Sequence, residues 1–194
     1  KTSAMLMQSD LDSQALSNWL RSLPLQDIFD IFDASFAGMI EMPLLIGDGY
    51  VLPEMTAVEI FSDPALYANV PVILGTNRDE VALFLAFLPQ YVGSVNGFPA
   101  TIKNPVAYSR DVKYGSQFWR VRGVDEIAQA ISQDQPGSVF SYRFDADDWR
   151  NLGFIDFQEL FGAAHAVELF FVFGYFPDPM KILFPDSTFD DVSQ

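Results

Sequence analysis

The sequence contains no cysteine, which excludes disulfides, thiolate metal sites, iron–sulfur clusters and a thiol nucleophile. Cations are also few, since 11 Lys and Arg stand against 26 Asp and Glu and give a formal net charge of −15. Nucleic acids and anionic membrane surfaces are bound mainly through clustered Lys and Arg. Neither is therefore expected as a partner.

Long hydrophobic runs are missing too. The longest strongly apolar run covers residues 81–88, far short of the roughly 20 residues that a membrane-spanning helix needs. We therefore expect no membrane span. The first residues do not form a signal peptide, and Lys1 stands where an initiator methionine would be. We expect the sequence to begin inside a longer polypeptide, so its compartment stays open.

The composition is nevertheless that of a folded domain. Hydrophobic residues make up 49% of the chain, including 19 Phe, which places it far from the composition of disordered chains. No repeat, low-complexity segment or Gly/Ser linker divides it. We therefore expect residues 1–194 to form a single piece.

Helical and extended patterns alternate along the chain. Apolar spacing predicts helices over residues 13–23, ending before Pro24, and over 25–32, 81–88 and 124–132. A β-branched run at 70–75 predicts a buried strand of a parallel sheet, and the alternation at 139–144 predicts a second strand. Residues 89–123, broken by several Pro and Gly, permit no assignment. Alternating strands and helices favour the α/β class.

The acidic loop after the first predicted strand is one candidate for chemistry. Asp79 and Glu80 follow the carboxyl end of that strand, the edge at which open α/β sheets bind ligands. The structural alternative is that these acids stabilise the positive N-terminal end of the following helix. The residues alone leave both interpretations open, and helix capping is the commoner role.

The second candidate is His165, the one histidine of the sequence. It lies among small residues in Gly-Ala-Ala-His-Ala-Val-Glu at 162–168, with Glu168 three positions later. A histidine oriented by a carboxylate is a competent general base near neutral pH, whereas a packed core or surface histidine is the structural alternative. One His and one Glu are too few ligands for a metal, and no phosphate or dinucleotide loop is present, so no metal or cofactor is expected.

A serine nucleophile is the missing third component. A Gly-x-Ser-x-Gly elbow occurs nowhere in the chain. The nearest string, Gly-Ser-Val-Asn-Gly at 93–97, has its serine in the wrong position.

Two motifs resemble those of the type-B carboxylesterases, relatives of the cholinesterases within the α/β-hydrolase fold. Pro-Val-Ile-Leu-Gly-Thr-Asn-Arg-Asp-Glu at 71–80 is similar to the family's strand-plus-acid motif, in which the last Glu is the triad acid. Gly-Ala-Ala-His-Ala-Val-Glu-Leu-Phe-Phe-Val-Phe-Gly at 162–174 is similar to its histidine motif. Stretches at 19–24, 48–53, 124–128 and 138–144 also have family counterparts in the same order.

The resemblance implies a partial α/β-hydrolase fold: the C-terminal part of a mostly parallel sheet with flanking helices. The family's serine elbow and Gly-rich oxyanion loop precede the residues present here, and its last C-terminal segment is also missing. We therefore expect the piece to belong to a serine carboxylesterase that hydrolyses carboxylic esters. Its missing N-terminal portion would supply the serine and the oxyanion hole, and this chain alone would be inactive.

The resemblance also implies roles for individual residues. Glu80 would be the triad acid and His165 the base, and Glu168 would support them through hydrogen bonds. Leu83 and Phe84 would line the substrate gorge, and Met39 would lie near the acyl pocket. The structural alternatives are a solvated helical acid for Glu168 and core packing for the apolar residues.

Two functions of another class remain open. Some relatives of this fold have lost catalysis and serve as adhesion or interaction domains, and a free-standing binding domain is a third possibility. Such a small domain would have to protect the open edge of its sheet, which otherwise tends to aggregate. An intact Gly-x-Ser-x-Gly string upstream would favour the esterase, and a substituted serine would favour the interaction domain.

Overall fold

The computed structural model describes residues 12–30, 47–50, 52–177, 181–186 and 188. The chain divides into two compact units, Lys1–Glu54 and Met55–Gln194. Each unit is described by itself below. Met39, which the resemblance places near an acyl pocket, lies outside the described residues.

The first unit contains two short helices in its described part. Helix α1, Ser13–Ser22, begins at Asp12, whose carboxylate accepts the Ala15 N–H at 2.7 Å. It ends before Pro24, because the residue preceding a proline is disfavoured in helical conformation. Helix α2, Leu25–Phe29, is shorter than the predicted 25–32. The predicted helix over 13–23 is therefore confirmed.

The second unit is built around a two-stranded parallel sheet. Strand β1, Val72–Asn77, pairs with strand β4, Val139–Phe144, in one unbroken register. The predicted strand at 139–144 is confirmed, and the strand predicted at 70–75 begins and ends two residues later. Its burial was predicted wrongly, because Ile73 is 73% exposed and only its carboxyl end is buried.

Helices and a hairpin occupy the crossover between the parallel strands. Helix α3, Ala57–Phe61, precedes β1 and lies outside the crossover, which begins with helix α4, Ala82–Leu85. The crossover continues with the antiparallel hairpin of β2, Val92–Val95, and β3, Phe98–Ile102. Asn96 and Gly97 both have positive φ, as a two-residue primed turn requires, so the Gly-Ser-Val-Asn-Gly string is a hairpin and not a nucleophile elbow.

The longest helix lies where the sequence permitted no assignment. Helix α5, Pro105–Arg120, begins with Pro105 at its first turn, where a missing N–H costs no hydrogen bond. Asn104 caps it by accepting the Ala107 N–H at 3.1 Å. A π-helical turn, Val121–Asp125, joins it to helix α6, Glu126–Asp134. The helix predicted at 124–132 thus begins inside the π-helical turn and continues as α6.

The first helices after β4 are α7, Phe157–Phe161, and α8, Glu168–Val172, and His165 lies in the turn between them. One apolar core connects these helices to the crossover. Its buried members are Ala82, Ala86, Val92, Tyr108, Val112, Leu160, Ala164, Val167, Phe176 and Phe184. The core therefore brings the end of β1 and the histidine turn together.

The described part of the chain is a mixture of helices and strands with a small parallel sheet, loosely of the predicted α/β class. Within that part, no helix combines the length and the apolar character needed to cross a bilayer.

Candidate active site

The end of β1 and the turn after α7 are joined by backbone hydrogen bonds. The Asp79 N–H donates to the Ala163 carbonyl at 3.0 Å, and the His165 N–H donates to the Glu80 carbonyl at 3.4 Å. Ala163 and Ala164 are fully buried in this contact. The small residues before His165 thus allow the turn to pack directly onto the loop that carries the two acids.

This packing brings Glu80 and His165 into contact. His165 Nδ1 lies 2.8 Å from Glu80 Oε2, and the other oxygen, Oε1, accepts the Asn77 N–H at 2.8 Å and the Thr76 hydroxyl at 3.1 Å. The Glu80 side chain is 6% exposed and the His165 side chain 34%. Since an ionised carboxylate only accepts hydrogen bonds, Nδ1 carries the proton, and the neutral ring presents Nε2 as its basic atom.

The contact shifts both ionisation equilibria. Burial by itself would raise the pKa of Glu80, but the hydrogen bonds from His165, Asn77 and Thr76 hold that pKa below its ordinary value of 4.5. The hydrogen bond with Glu80 raises the pKa of His165 above its ordinary 6.5, against partial burial, and the negative charge of Glu168 adds to the rise. The pair therefore favours an ionised carboxylate beside a readily protonated ring.

Asn77 links the pair to a second acid. Its side-chain amide donates to the Ala164 carbonyl at 2.7 Å and to Glu168 Oε2. Asn77 is 3% exposed, so this amide is a buried connection between β1 and the start of α8. Glu168 is thus hydrogen-bonded beside the pair through Asn77, rather than solvated as a surface acid.

Two aromatic rings flank the imidazole. The His165 ring centroid lies 5.5 Å from that of Phe84 and 5.2 Å from that of Trp119, which is stacked on Phe84 at 6.1 Å. Trp119 lies in the last turn of α5, two residues before the π-helical turn, and π-turns are frequent at functional sites. The exposed part of the imidazole is therefore bordered by apolar surface.

The acids of the loop do not cap the next helix with their side chains. Val81, the N-cap residue of helix α4, makes no side-chain capping bond. The carboxylates of Asp79 and Glu80 accept hydrogen bonds from Ala163 and His165 instead. These two carboxylates therefore make no capping hydrogen bond, although their charges still lie next to the start of α4.

The other predicted site residues are placed differently. Phe84 borders the imidazole, whereas Leu83 is half-buried against the apolar core. Sequence reasoning missed Asn77 and Trp119. Asn77 lies beyond the strand predicted at 70–75, and Trp119 lies in the stretch for which no helix is predicted, so its face could not be predicted.

The described residues place no nucleophile beside the imidazole of His165. Among them, no serine hydroxyl hydrogen-bonds to the imidazole, and no three His, Asp or Glu side chains converge to hold a metal ion. A cavity of about 520 Å³ borders the acid loop at Asn77 and Asp79, but neither Glu80 nor His165 lines it. The chemistry that this pair can perform is proton transfer at the exposed part of the imidazole.

The two pKa shifts predict how the pair stabilises the fold. Because folding raises the pKa of His165, the stability that its protonated form adds is complete below about pH 6.5 and is lost as the pH rises through the pKa of the folded protein. Because folding lowers the pKa of Glu80, the stability that its ionised form adds is complete above about pH 4.5 and is lost as the pH falls through the pKa of the folded protein. The stabilisation is therefore greatest between these two limits.

Glu80→Gln should lower the free energy of unfolding by an amount on the order of 1–3 kcal/mol in that window, and by less on either side. Urea unfolding followed by tryptophan fluorescence across the pH range measures this difference. Glu159→Gln, which removes an exposed acid from α7, is the matched control. A difference that does not change with pH would show that the two charges are not coupled.

No protein-family model matches this chain, and neither the curated proteins nor the solved structures contain a match to it. The assignment of chemistry to the site therefore rests on its own geometry and on the motifs of the sequence.

Proposed function

We propose that this chain is the acid–base portion of a serine carboxylesterase of the type-B family, in which His165 is the general base and Glu80 orients it. The serine and the oxyanion donors come from a portion of the enzyme outside these 194 residues. In the same proposal, β1 and β4 belong to a larger α/β-hydrolase sheet. The observation that carries the proposal is the 2.8 Å contact between Glu80 and His165.

The geometry suits proton transfer to and from an alcohol. His165 Nε2 takes the proton of the serine hydroxyl as that oxygen attacks the ester carbonyl, and Glu80 stabilises the imidazolium that results. Collapse of the tetrahedral intermediate breaks the bond to the alcohol, which leaves with the proton from Nε2. Water then repeats the sequence on the acyl-enzyme and releases the carboxylic acid and the serine hydroxyl.

The raised pKa of His165 fits this role. A base that binds a proton more readily than ordinary histidine is better able to remove one from serine, and the buried negative charge of Glu80 supplies that increase. The neutral form needed for attack is populated as the pH rises above the folded pKa. Activity governed by this group therefore rises with pH through a value above 6.5.

The exposure of the parallel sheet supports a larger sheet. Parallel strands normally lie buried between helices on both faces, and two strands alone are marginal. Here Ile73 of β1 is 73% exposed and Phe140 of β4 is 59% exposed. These apolar side chains are suited to contact with further strands and helices of the same enzyme.

The surroundings of the imidazole favour an apolar ester. Phe84 and Trp119 offer ring surface on which an acyl or alkyl group can be buried, and Trp119 is 39% exposed. Of the residues expected to line the gorge, Phe84 is thus the one that lies next to the reacting atoms in the proposed enzyme. Leu83 packs against the apolar core.

The isolated chain should hydrolyse no ester, because the described residues bring no serine to His165. A short p-nitrophenyl ester supplied to the purified 194-residue chain tests this, and only slow, unsaturable hydrolysis is expected. Saturable turnover that a serine-directed phosphonate abolishes would contradict the proposal.

In the complete enzyme, His165→Ala and Glu80→Gln should each lower kcat by about a thousandfold or more while the fold is retained. Steady-state kinetics with a circular dichroism check measures this, with Glu159→Gln as a control of unchanged activity. Near-wild-type kcat in either variant would remove that residue from the mechanism. A complete protein that carries no serine at the elbow and has no activity would instead support the adhesion or interaction domain.

A further inference from the structure

Asp79 makes a second connection between the two segments that carry Glu80 and His165. Its carboxylate Oδ2 accepts the N–H of Ala163 at 3.0 Å, while its own N–H donates to the Ala163 carbonyl at 3.0 Å. Asp79 directly precedes Glu80, and Ala163 lies two residues before His165. This reciprocal pair of hydrogen bonds therefore joins the residue before Glu80 to the chain two residues before His165.

The contact is too close for any side chain at position 162. Gly162 has φ of +52°, and a Cβ atom there would lie 2.3 Å from Asp79 Oδ2. Its carbonyl also accepts the Trp149 indole N–H at 2.7 Å. Glycine is thus required at the point where Asp79 meets the turn.

Asp79 is itself fixed in place by Arg78. The guanidinium of Arg78 contacts Asp79 Oδ2 at 2.9 Å and Asp147 Oδ2 at 2.6 Å, and its backbone N–H donates to the Phe144 carbonyl at 2.9 Å. The Arg78 and Asp79 side chains are 36% and 19% exposed. Arg78 therefore ties Asp79 to the end of β4 and to the loop beyond it.

We propose that Asp79, fixed by Arg78, is a positioning residue that holds the turn of His165 at the distance and orientation at which the imidazole meets Glu80. The role rests on the proposed function, since it serves the reaction only if His165 is the base. Asp79 acts through Ala163 and touches neither the imidazole nor a substrate in this arrangement.

The charges that face the imidazole allow this role to be separated from a direct electrostatic one. Glu80 and Glu168 are the acids that raise the pKa of His165. The carboxylate of Asp79 is directed instead at Ala163 and Arg78. A change at Asp79 should therefore reach the imidazole by loosening its contact with Glu80.

The test uses the 194-residue chain, in which His165 is the only histidine and gives the only imidazole signals in an NMR spectrum. Asp79→Ala removes the acceptor of the buried Ala163 N–H, and the pKa of His165 should fall toward its ordinary value of 6.5. Asp79→Asn keeps an acceptor oxygen for Ala163 and should restore most of the shift. Arg78→Gln, which leaves Asp79 unanchored, should give an intermediate value.

Asp111→Ala is the matched control. Asp111 also pairs with a neighbouring arginine, Arg110, at 2.8 Å and is 30% exposed, but it lies on α5 and its other hydrogen bond comes from the Tyr91 hydroxyl. Its removal should leave the titration of His165 unchanged. Chemical denaturation of each variant gives the loss of stability separately from the titration.

The outcomes distinguish positioning from support of the fold alone. If Asp79→Ala lowers stability but leaves the pKa of His165 at the wild-type value in the folded chain, the proposal is overturned. Equal shifts in Asp79→Asn and Asp79→Ala would overturn it too, because they would assign the effect to charge. Where Asp79→Ala does not fold, the titration of His165 in Asp79→Asn and Arg78→Gln decides. A wild-type pKa of His165 in Arg78→Gln would overturn the proposal.

The titration requires no esterase activity, so its result stands independently of the function proposed for the complete enzyme. A positive titration with an inactive complete enzyme would leave Asp79 as a positioning residue of a pair that performs no ester hydrolysis. An active enzyme with a negative titration would leave the function intact and remove Asp79 from it.

Discussion

A hydrogen bond between two residues 85 positions apart, Glu80 and His165, organises the described part of the second unit. Each partner depends on the other: Glu80 needs hydrogen-bond donors, and His165 needs a fixed ring orientation. A carboxylate with 6% exposure needs compensating donors, and it receives them from His165, the Asn77 N–H and the Thr76 hydroxyl. In return it fixes the ring orientation and places the proton on Nδ1. The same contact therefore satisfies a buried charge and leaves Nε2 as the basic nitrogen of the neutral ring.

The parallel pair of strands is what makes this contact possible. Because β1 and β4 run in the same direction, the loops that leave both strands emerge at one edge, and Arg78 joins them there through the Phe144 carbonyl and Asp147. The turn before His165 then packs on the β1 loop through residues of minimal size, Gly162, Ala163 and Ala164. Larger side chains at these positions would hold the imidazole away from Glu80. The small residues are thus a packing requirement of the site.

The sequence was informative where a pattern had one physical interpretation. The alternation at 139–144 and the helical spacing at 13–23 predicted their elements well, since a period of two or of 3.6 identifies a strand or a helix directly. It was uninformative over 89–123, because Pro105 in a stretch with several Pro and Gly resembles a break, although proline is favoured in the first turn of a helix. Trp119 was missed for that reason, because a residue without an assigned helix has no assigned face.

The candidate site, like the fold, could be predicted only in part from the sequence. Glu80 and His165 could be named from motifs, but their contact depends on a crossover whose course the sequence did not reveal. Asn77 and Asp79 owe their roles to backbone partners in the turn before His165, and such partners have no signature in side-chain pattern. What the fold adds to the motifs is therefore the set of hydrogen bonds between two distant segments.

The tautomer of the neutral imidazole tests the central interaction most directly. The nitrogen resonances of the single histidine, recorded on the ¹⁵N-labelled chain at a pH above its pKa, distinguish a protonated Nδ1 from a protonated Nε2. A proton on Nδ1 with a bare Nε2 is the result predicted by a hydrogen bond to Glu80. A proton on Nε2, or rapid exchange between both nitrogens, would contradict the account.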